Sequence, residues 1–408
     1  MSWANFISQR KGIGDNPLYF NGFDKNAHDS SVFPFVEISS NKTTSTVGND
    51  RARNIEQNGT TKQREKIATA RMTVEMGKEY NFSIPQNLDF YTGVHLKITI
   101  PCIQIRVPGE PPARIRWNKN IEERIVDSAE FSVNEVPMDY INKEVLYDYR
   151  KHMVQYIKVK QLNLEPFPIK HNKRYELTLK KITIKIPLRF WFTQKPLNKN
   201  AKLPGMASVS CPYGQRFVRV RLSGWGQIIE REEPGMILDH HVYTKEEPVI
   251  AQLIIHGGFI TNELHDAYIK NPQLMVCRSF IYKNPRVHIL KPKRGDKFEM
   301  NMQKIQNGRC LVEFLIIRSP VKIKDLSLDA YGSNGELEYY RYSRKRQQHV
   351  YILDRRLSPL DFGTTGTELI QFTGTWNSEK HEDGMIMIHI TMSQVRGYKV
   401  RDGHIEWV

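Results

Sequence analysis

The stretch "ITIKIPLRFWF", Ile182 to Phe192, decides the fold. Its even positions, Ile182, Ile184, Ile186, Leu188, Phe190 and Phe192, are all apolar, whereas Lys185 and Arg189 stand at odd ones. A period of two marks a half-buried β-strand, because successive side chains leave a strand on opposite faces. Read in phase, these six residues line one side of a core. Trp191 then leaves on the other side, where a loop, a second sheet or another subunit has to cover it, and it is assigned as an inter-domain or subunit contact. Three adjacent aromatics can also make a stacking platform for nucleic acid, but such platforms expose their rings among glycine and basic residues. This run instead continues a long apolar alternation.

The same period recurs outward from this strand. It runs through "HLKITIPCI" (His95–Ile103), "FVRVRL" (Phe217–Leu222) and "MIMIHITM" (Met385–Met392). "CLVEFLIIR" (Cys310–Arg318) is almost continuously apolar, as expected of a strand covered on both faces. Helical signals are few. "PMDYINKEVLYDYRKH" (Pro137–His152) is one candidate, and "TNELHDAYIKN" (Thr261–Asn271), with Thr261 as cap, is another. Many short strands with few helices predict β-sandwiches or jelly rolls. A Pro/Gly-containing acidic stretch, "EREEPG" (Glu230–Gly235), reads as a hinge between halves of sandwich size. Residues 39–71 are polar, rich in Thr and Asn, and cannot bury enough surface to offset the entropy of ordering. The expected organisation is an extended or partly disordered arm over 1–71, a first sandwich over 72–230 and a second over 231–408.

The chain has 408 residues and a formal net charge of +16, which favours an anionic neighbour without specifying a fold. Two basic stretches are the candidate polyanion contacts. One is in the arm, with Arg51, Arg53, Lys62 and Arg64; the other is "YYRYSRKRQQHVYILDRR" (Tyr339–Arg356), with Arg344, Lys345 and Arg346. The second has the composition of a nucleic-acid patch, and equally that of a long solvated loop. The four cysteines, Cys102, Cys211, Cys277 and Cys310, are widely spaced and form no zinc-type pair, which suggests buried thiols in a reducing compartment. The opening "MSWANFISQRKG" lacks the apolar core of a signal peptide, so the expected location is the cytoplasm or a particle assembled there. "LDHHV" (Leu238–Val242) gathers Asp239, His240 and His241, and reads as a polar loop rather than a metal site. No phosphate-binding glycine loop, nucleophile elbow or HExxH motif occurs. The reading is of a non-enzyme with no catalytic, cofactor-binding or metal-binding residues.

Four segments, in order, resemble the major capsid proteins of nucleocytoplasmic large DNA viruses. "IPLRFWFTQKPLNKNAKLPGMASV" (Ile186–Val209) is similar to that family's IPLPFWF-type strand with its proline-containing loop and ALPL-type strand. "FSIPQNLDFYTGVHLKITIP" (Phe82–Pro101) resembles its GDL turn and following strand, and "IVDSAEFSVNEVPMDYINKEVLYDY" (Ile125–Tyr149) its IGGQ-x-ID region. "AQLIIHGGFITNELHDAYIKNPQLMVCRSFIYKN" (Ala251–Asn284) resembles the segment that opens its second half. Three positions depart: Asn134-Glu135 replaces the Gly-Gly turn, Asn87-Leu88-Asp89 replaces GDL, and Pro204-Gly205-Met206 replaces the ALPL core. The resemblance implies an all-β double jelly roll, two eight-stranded sandwiches with few short helices and an N-terminal arm. It also implies a homotrimer, a six-lobed capsomer of an icosahedral virion shell assembled in the host cytoplasm. Further implied partners are minor capsid or penton proteins, and an internal membrane or the genome through the basic arm. A minor capsid or scaffolding protein of the same fold, and a basic nucleic-acid-binding protein, are the alternatives.

Overall fold

The computed structural model describes residues 60–153 apart from 85 and 87, residue 156, and residues 174–193, 206–207, 215–260 apart from 245–246, 275–289, 294–303, 311–330, 333–355, 360–361, 369–377, 384–401 and 404–407. The chain forms two compact units, divided between residues 273 and 274.

Eight main strands build the first unit: β1 (Thr60–Ala68), β2 (Glu79–Ser83), β3 (Phe90–Ile100), β4 (Val126–Val133), β5 (Val136–Asn142), β6 (Ile182–Leu188), β7 (Arg216–Leu222) and β8 (Val249–Ile260). They hydrogen-bond as two sheets, β1-β8-β3-β6 and β2-β7-β4-β5. Every connection between these strands crosses from one sheet to the other, except the β4–β5 hairpin. That is the Greek-key path of a jelly roll. The second unit repeats it with β9 (Met275–Lys283), β10 (Lys297–Gln303), β11 (Leu311–Ser319), β12 (Ile323–Ala330), β13 (Ser333–Glu336), β14 (Gln348–Asp354), β15 (Leu369–Trp376) and β16 (His389–Arg401). Its sheets are β9-β16-β11-β14, extended at the edge by Glu338–Ser343, and β10-β15-β12-β13. The chain is a double jelly roll.

Register explains why the alternation was so regular. Antiparallel pairing sets Ile184 opposite Ile98, Ile186 opposite Leu96 and Leu188 opposite Val94. On the other side of β3, Ala251, Leu253 and Ile255 meet the same three residues. Three apolar rows thus cross β8, β3 and β6, and all nine side chains are buried. The facing sheet contributes the row Phe82–Val218–Phe131. In the second unit, Met392–Leu315–Leu353 and Ile390–Ile317–Tyr351 face Met300–Phe372–Leu328 across one core. All nine residues of β11 are buried, as its continuous apolar run predicts.

Five expectations change. The strand ends at Leu188, and Trp191–Thr193 form a 3₁₀ turn. A tight turn rotates successive side chains by about a third of a circle, so Phe190, Trp191 and Phe192 do not alternate and all three are buried. Trp191 is therefore a core residue of the first unit rather than an inter-domain or subunit contact. Ile182, at the open end of the strand, is half-buried.

Thr60–Ala68, expected to belong to an arm over residues 1–71, pairs along β8 as β1, and residues 1–59 lie outside the described residues. Glu230–Gly235 does not part the domains. Ile229–Arg231 pairs with Ile115–Trp117, and β8, beyond it, is an inner strand of the first unit. The helix expected over Pro137–His152 begins at Lys143, after β5. Pro137 is tolerated because β5 is an edge strand with a register shift there. The Asn142 side chain caps the helix, accepting from the backbone N–H groups of Glu144 and Val145 at 3.1 and 2.9 Å. The helix expected over Thr261–Asn271 lies outside the described residues.

Candidate functional site

The "RFWF" segment is held from below and from the side. Phe131 of β4 is the hub, its ring 5.7 Å from Phe190, 5.6 Å from Trp191 and 5.1 Å from Phe192. Asp139 of β5, itself buried, accepts a hydrogen bond from the Trp191 backbone N–H at 2.8 Å and one from Tyr140 N–H at 2.9 Å. A carboxylate on the edge strand thus closes the 3₁₀ turn and ties together two of the segments that carry the family resemblance. Neither Phe131 nor Asp139 was picked out from sequence. The alternation places Phe131 inward, but nothing in a linear pattern identifies which turn Asp139 meets.

Among the described residues, no group of three His, Cys, Asp or Glu side chains is placed to hold a metal ion. Asp239 accepts from Trp225 N–H at 3.0 Å, and so serves the start of the short helix Trp225–Ile228. His240 and His241 stack edge to face at 4.2 Å in an exposed turn.

The loop end of the first unit is a built surface. The connections β3–β4, β5–β6 and β7–β8 weave into small sheets there: Ile103–Ile105 pairs with both Val242–Thr244 and Thr178–Leu179. Ion pairs lace this end. Arg116 meets Glu230 at 2.6 Å, Arg231 meets Glu110 at 3.0 Å and Arg114 meets Glu232 at 3.6 Å. The acidic stretch that reads as a hinge is thus one side of a charged zipper. Met236, Leu238, Tyr243 and Leu177 stand exposed on the same connections, Met236 at 72%.

The second unit carries a different surface. Glu338–Ser343 and β14 form a hairpin whose turn, Arg344–Gln347, is closed by Arg346 N–H on the Ser343 carbonyl at 3.2 Å. Arg344 and Lys345 are exposed in it, with Arg346 half-buried. Beside the turn, the rings of Tyr342 and His349 lie 4.8 Å apart, and those of Tyr339 and His349 5.9 Å apart. Burial, then the Lys322 ammonium, pushes the His349 imidazole below its ordinary pKa. Of the other expected polyanion contacts, Lys62 and Arg64 belong to β1, while Arg51 and Arg53 lie outside the described residues.

A family model described as "Major capsid protein N-terminus" matches residues 42–223. The hexon protein p72 of African swine fever virus (strain Badajoz 1971 Vero-adapted) is 28% identical over 109 residues, which is 27% of this chain and 16% of that protein. Among solved structures, the PBCV-1 virus capsid quasi-atomic model superposes with TM-score 0.56 at 10% identity, covering 85% of this chain and 96% of the other. The Faustovirus major capsid protein superposes with TM-score 0.54 at 12% identity, covering 82% and 90%. These superpositions agree with the double jelly roll read from strand order.

Proposed function

From a chain related to viral major capsid proteins, by sequence over residues 42–223 and by fold along most of its length, we propose a structural role: a capsid protein that assembles as a homotrimer and tiles an icosahedral shell. The observation that carries this reading is the succession of two complete jelly rolls in one chain. Three such chains supply six similar lobes, and a six-lobed tile packs hexagonally, whereas a single sandwich per chain needs six copies to do so. Closed cyclic symmetry gives each subunit the same pair of contacts. Met236, Leu238, Tyr243 and Leu177 are the candidates for burial between subunits, since exposed apolar side chains grouped on one end of a domain mark interaction sites. Minor capsid or penton proteins complete the shell, in a virion assembled in the host cytoplasm. The arm, with Arg51 and Arg53, and β1, with Lys62 and Arg64, turn toward the particle interior, where a membrane or genome offers anionic groups.

Light scattering of the purified chain tests the proposal. A trimer at micromolar concentration is expected, and Met236→Glu should shift it toward monomer. A stable monomer of the parent chain at that concentration would overturn the assembly reading.

A further inference from the structure

The ion-paired basic residues of the first unit and those in the hairpin of the second are neutralised differently. In the first, Arg114, Arg116, Arg231, Lys143 and Lys181 each meet a carboxylate within 4 Å. In the hairpin of the second, Arg344 and Lys345 form no ion pair among the described residues, and Lys322 lies over the Tyr339 ring at 4.9 Å. From Glu338 to His349 there are four basic residues and one carboxylate, Glu338, which stands at the start of the strand away from the turn. Two of the hairpin's rings stay open to solvent, Tyr339 at 41% and Tyr342 at 46% exposure. Both are held in place. Tyr339 packs against Tyr351 at 5.5 Å, and the Tyr351 hydroxyl is fixed by accepting from Ile323 N–H and donating to the Ile323 carbonyl. Tyr342 rests against His349.

We infer that this hairpin is a binding site for single-stranded nucleic acid, with Tyr342 and Tyr339 stacking on bases and Arg344 and Lys345 meeting the phosphates. Preorganised rings beside unpaired cations are what sequence-tolerant strand binding requires, since every base has a flat face and every linkage a charge. A duplex hides its base faces and uses the cations alone. A sulfated glycan also uses the cations, but it offers no flat base face to the two rings, so its binding does not depend on base stacking. The site is independent of the shell reading, because it rests on this hairpin and on no subunit contact.

The test is fluorescence anisotropy of the full chain with a fluorescein-labelled oligothymidylate, titrated across salt concentrations. A DNA duplex and a heparin-derived oligosaccharide serve as comparison ligands. Tyr342→Ala should weaken oligothymidylate binding about fivefold or more, leave the salt slope unchanged and leave the other two ligands unaffected. Tyr342→Phe, which keeps the ring, should bind like the parent. Replacing Arg344 and Lys345 together by Ala should flatten the slope of log Kd against log salt by about 1.4, at roughly 0.7 per phosphate released from a single strand. The inference is overturned if the parent does not bind oligothymidylate, if Tyr342→Ala binds it as tightly as the parent, or if Tyr342→Phe loses affinity as Ala does. Equal losses for the oligosaccharide would overturn it too, and assign the surface to sulfated glycans.

Discussion

Asn134 and Glu135 occupy the two-residue turn of the β4–β5 hairpin with φ of 50° and 64°. Positive φ at both central positions is the type I′ geometry that matches strand twist, and glycine or asparagine normally supplies it. Asn134 suits it; Glu135 sits in the left-handed region against the preference of a side chain with a Cβ. The Gly-Gly to Asn-Glu departure noted in the sequence therefore retains the turn at an energetic cost. Glu135→Gly should stabilise the protein by about 0.5–1 kcal/mol, the left-handed penalty of about 1–2 less the added entropy of an unfolded glycine. Denaturant titration reads this as a raised midpoint at unchanged slope; a lowered midpoint would mean that the Glu135 side chain contributes something the turn geometry does not require. A few residues away, the aromatic trio gives a second prediction. Phe190→Ala and Phe192→Ala should each cost about 3–5 kcal/mol through lost burial and an unfilled cavity. Trp191→Ala should lower the melting temperature just as strongly, because its ring is buried against Phe131 and Phe192. A Trp191→Ala protein with the parent's melting temperature but weakened association would restore the interface role that strand alternation implies.

At the scale of elements, the edge strand Glu338–Ser343 of the second unit is defended against unwanted pairing by a register shift between Tyr339 and Arg341 and by its charges. Its neighbour β14 carries His349 with a pKa held below the ordinary imidazole value, first by burial and then by Lys322. The sign follows directly. A group whose folded pKa is depressed binds its proton more readily when unfolded, so protonation favours the unfolded chain. The neutral ring's full contribution is present above the ordinary histidine pKa of about 6.5 and declines as pH falls below it. Melting temperature measured from pH 7.5 to 5 should therefore fall less steeply for His349→Gln than for the parent. Parallel curves would show that His349 carries none of the acid sensitivity.

For the whole molecule, the order of strands outweighs any local boundary signal. β8 lies between β1 and β3, yet it follows the Pro/Gly-containing stretch that resembles a linker. A chain ending at residue 230 lacks β8 and leaves two open strand edges in the middle of a sheet. It should be insoluble or lack a cooperative melt, whereas a chain ending at residue 273 keeps all eight strands and should fold. Circular dichroism melting of the two truncated chains distinguishes the cases; a cooperative melt from the shorter one would contradict the placement of β8. The same topology gives the chain its two similar lobes and, with them, the case for a hexagonally packing tile.

Sequence alone determined the apolar faces of β3, β6, β7 and β11, because a strand's side chains alternate whatever it packs against, and Ile184, Ile186, Leu96 and Ile98 lie where their parity puts them. It also determined the two-sandwich class, through the density of such strands and four ordered segments of family resemblance. Tertiary structure alone decided what depends on residues distant in the chain. The strand-like pattern of "RFWF" breaks into a turn because Asp139, from another strand, captures the Trp191 N–H. Thr60–Ala68 becomes a strand because β8 offers it an edge, although its own composition is that of a mobile arm. Glu230 and its neighbours are zipped rather than hinged because Arg116, Arg114 and Glu110 arrive from a different loop. Alternation is a local property of a strand; pairing partners, caps and ion pairs are set by which distant segments the jelly-roll path brings together.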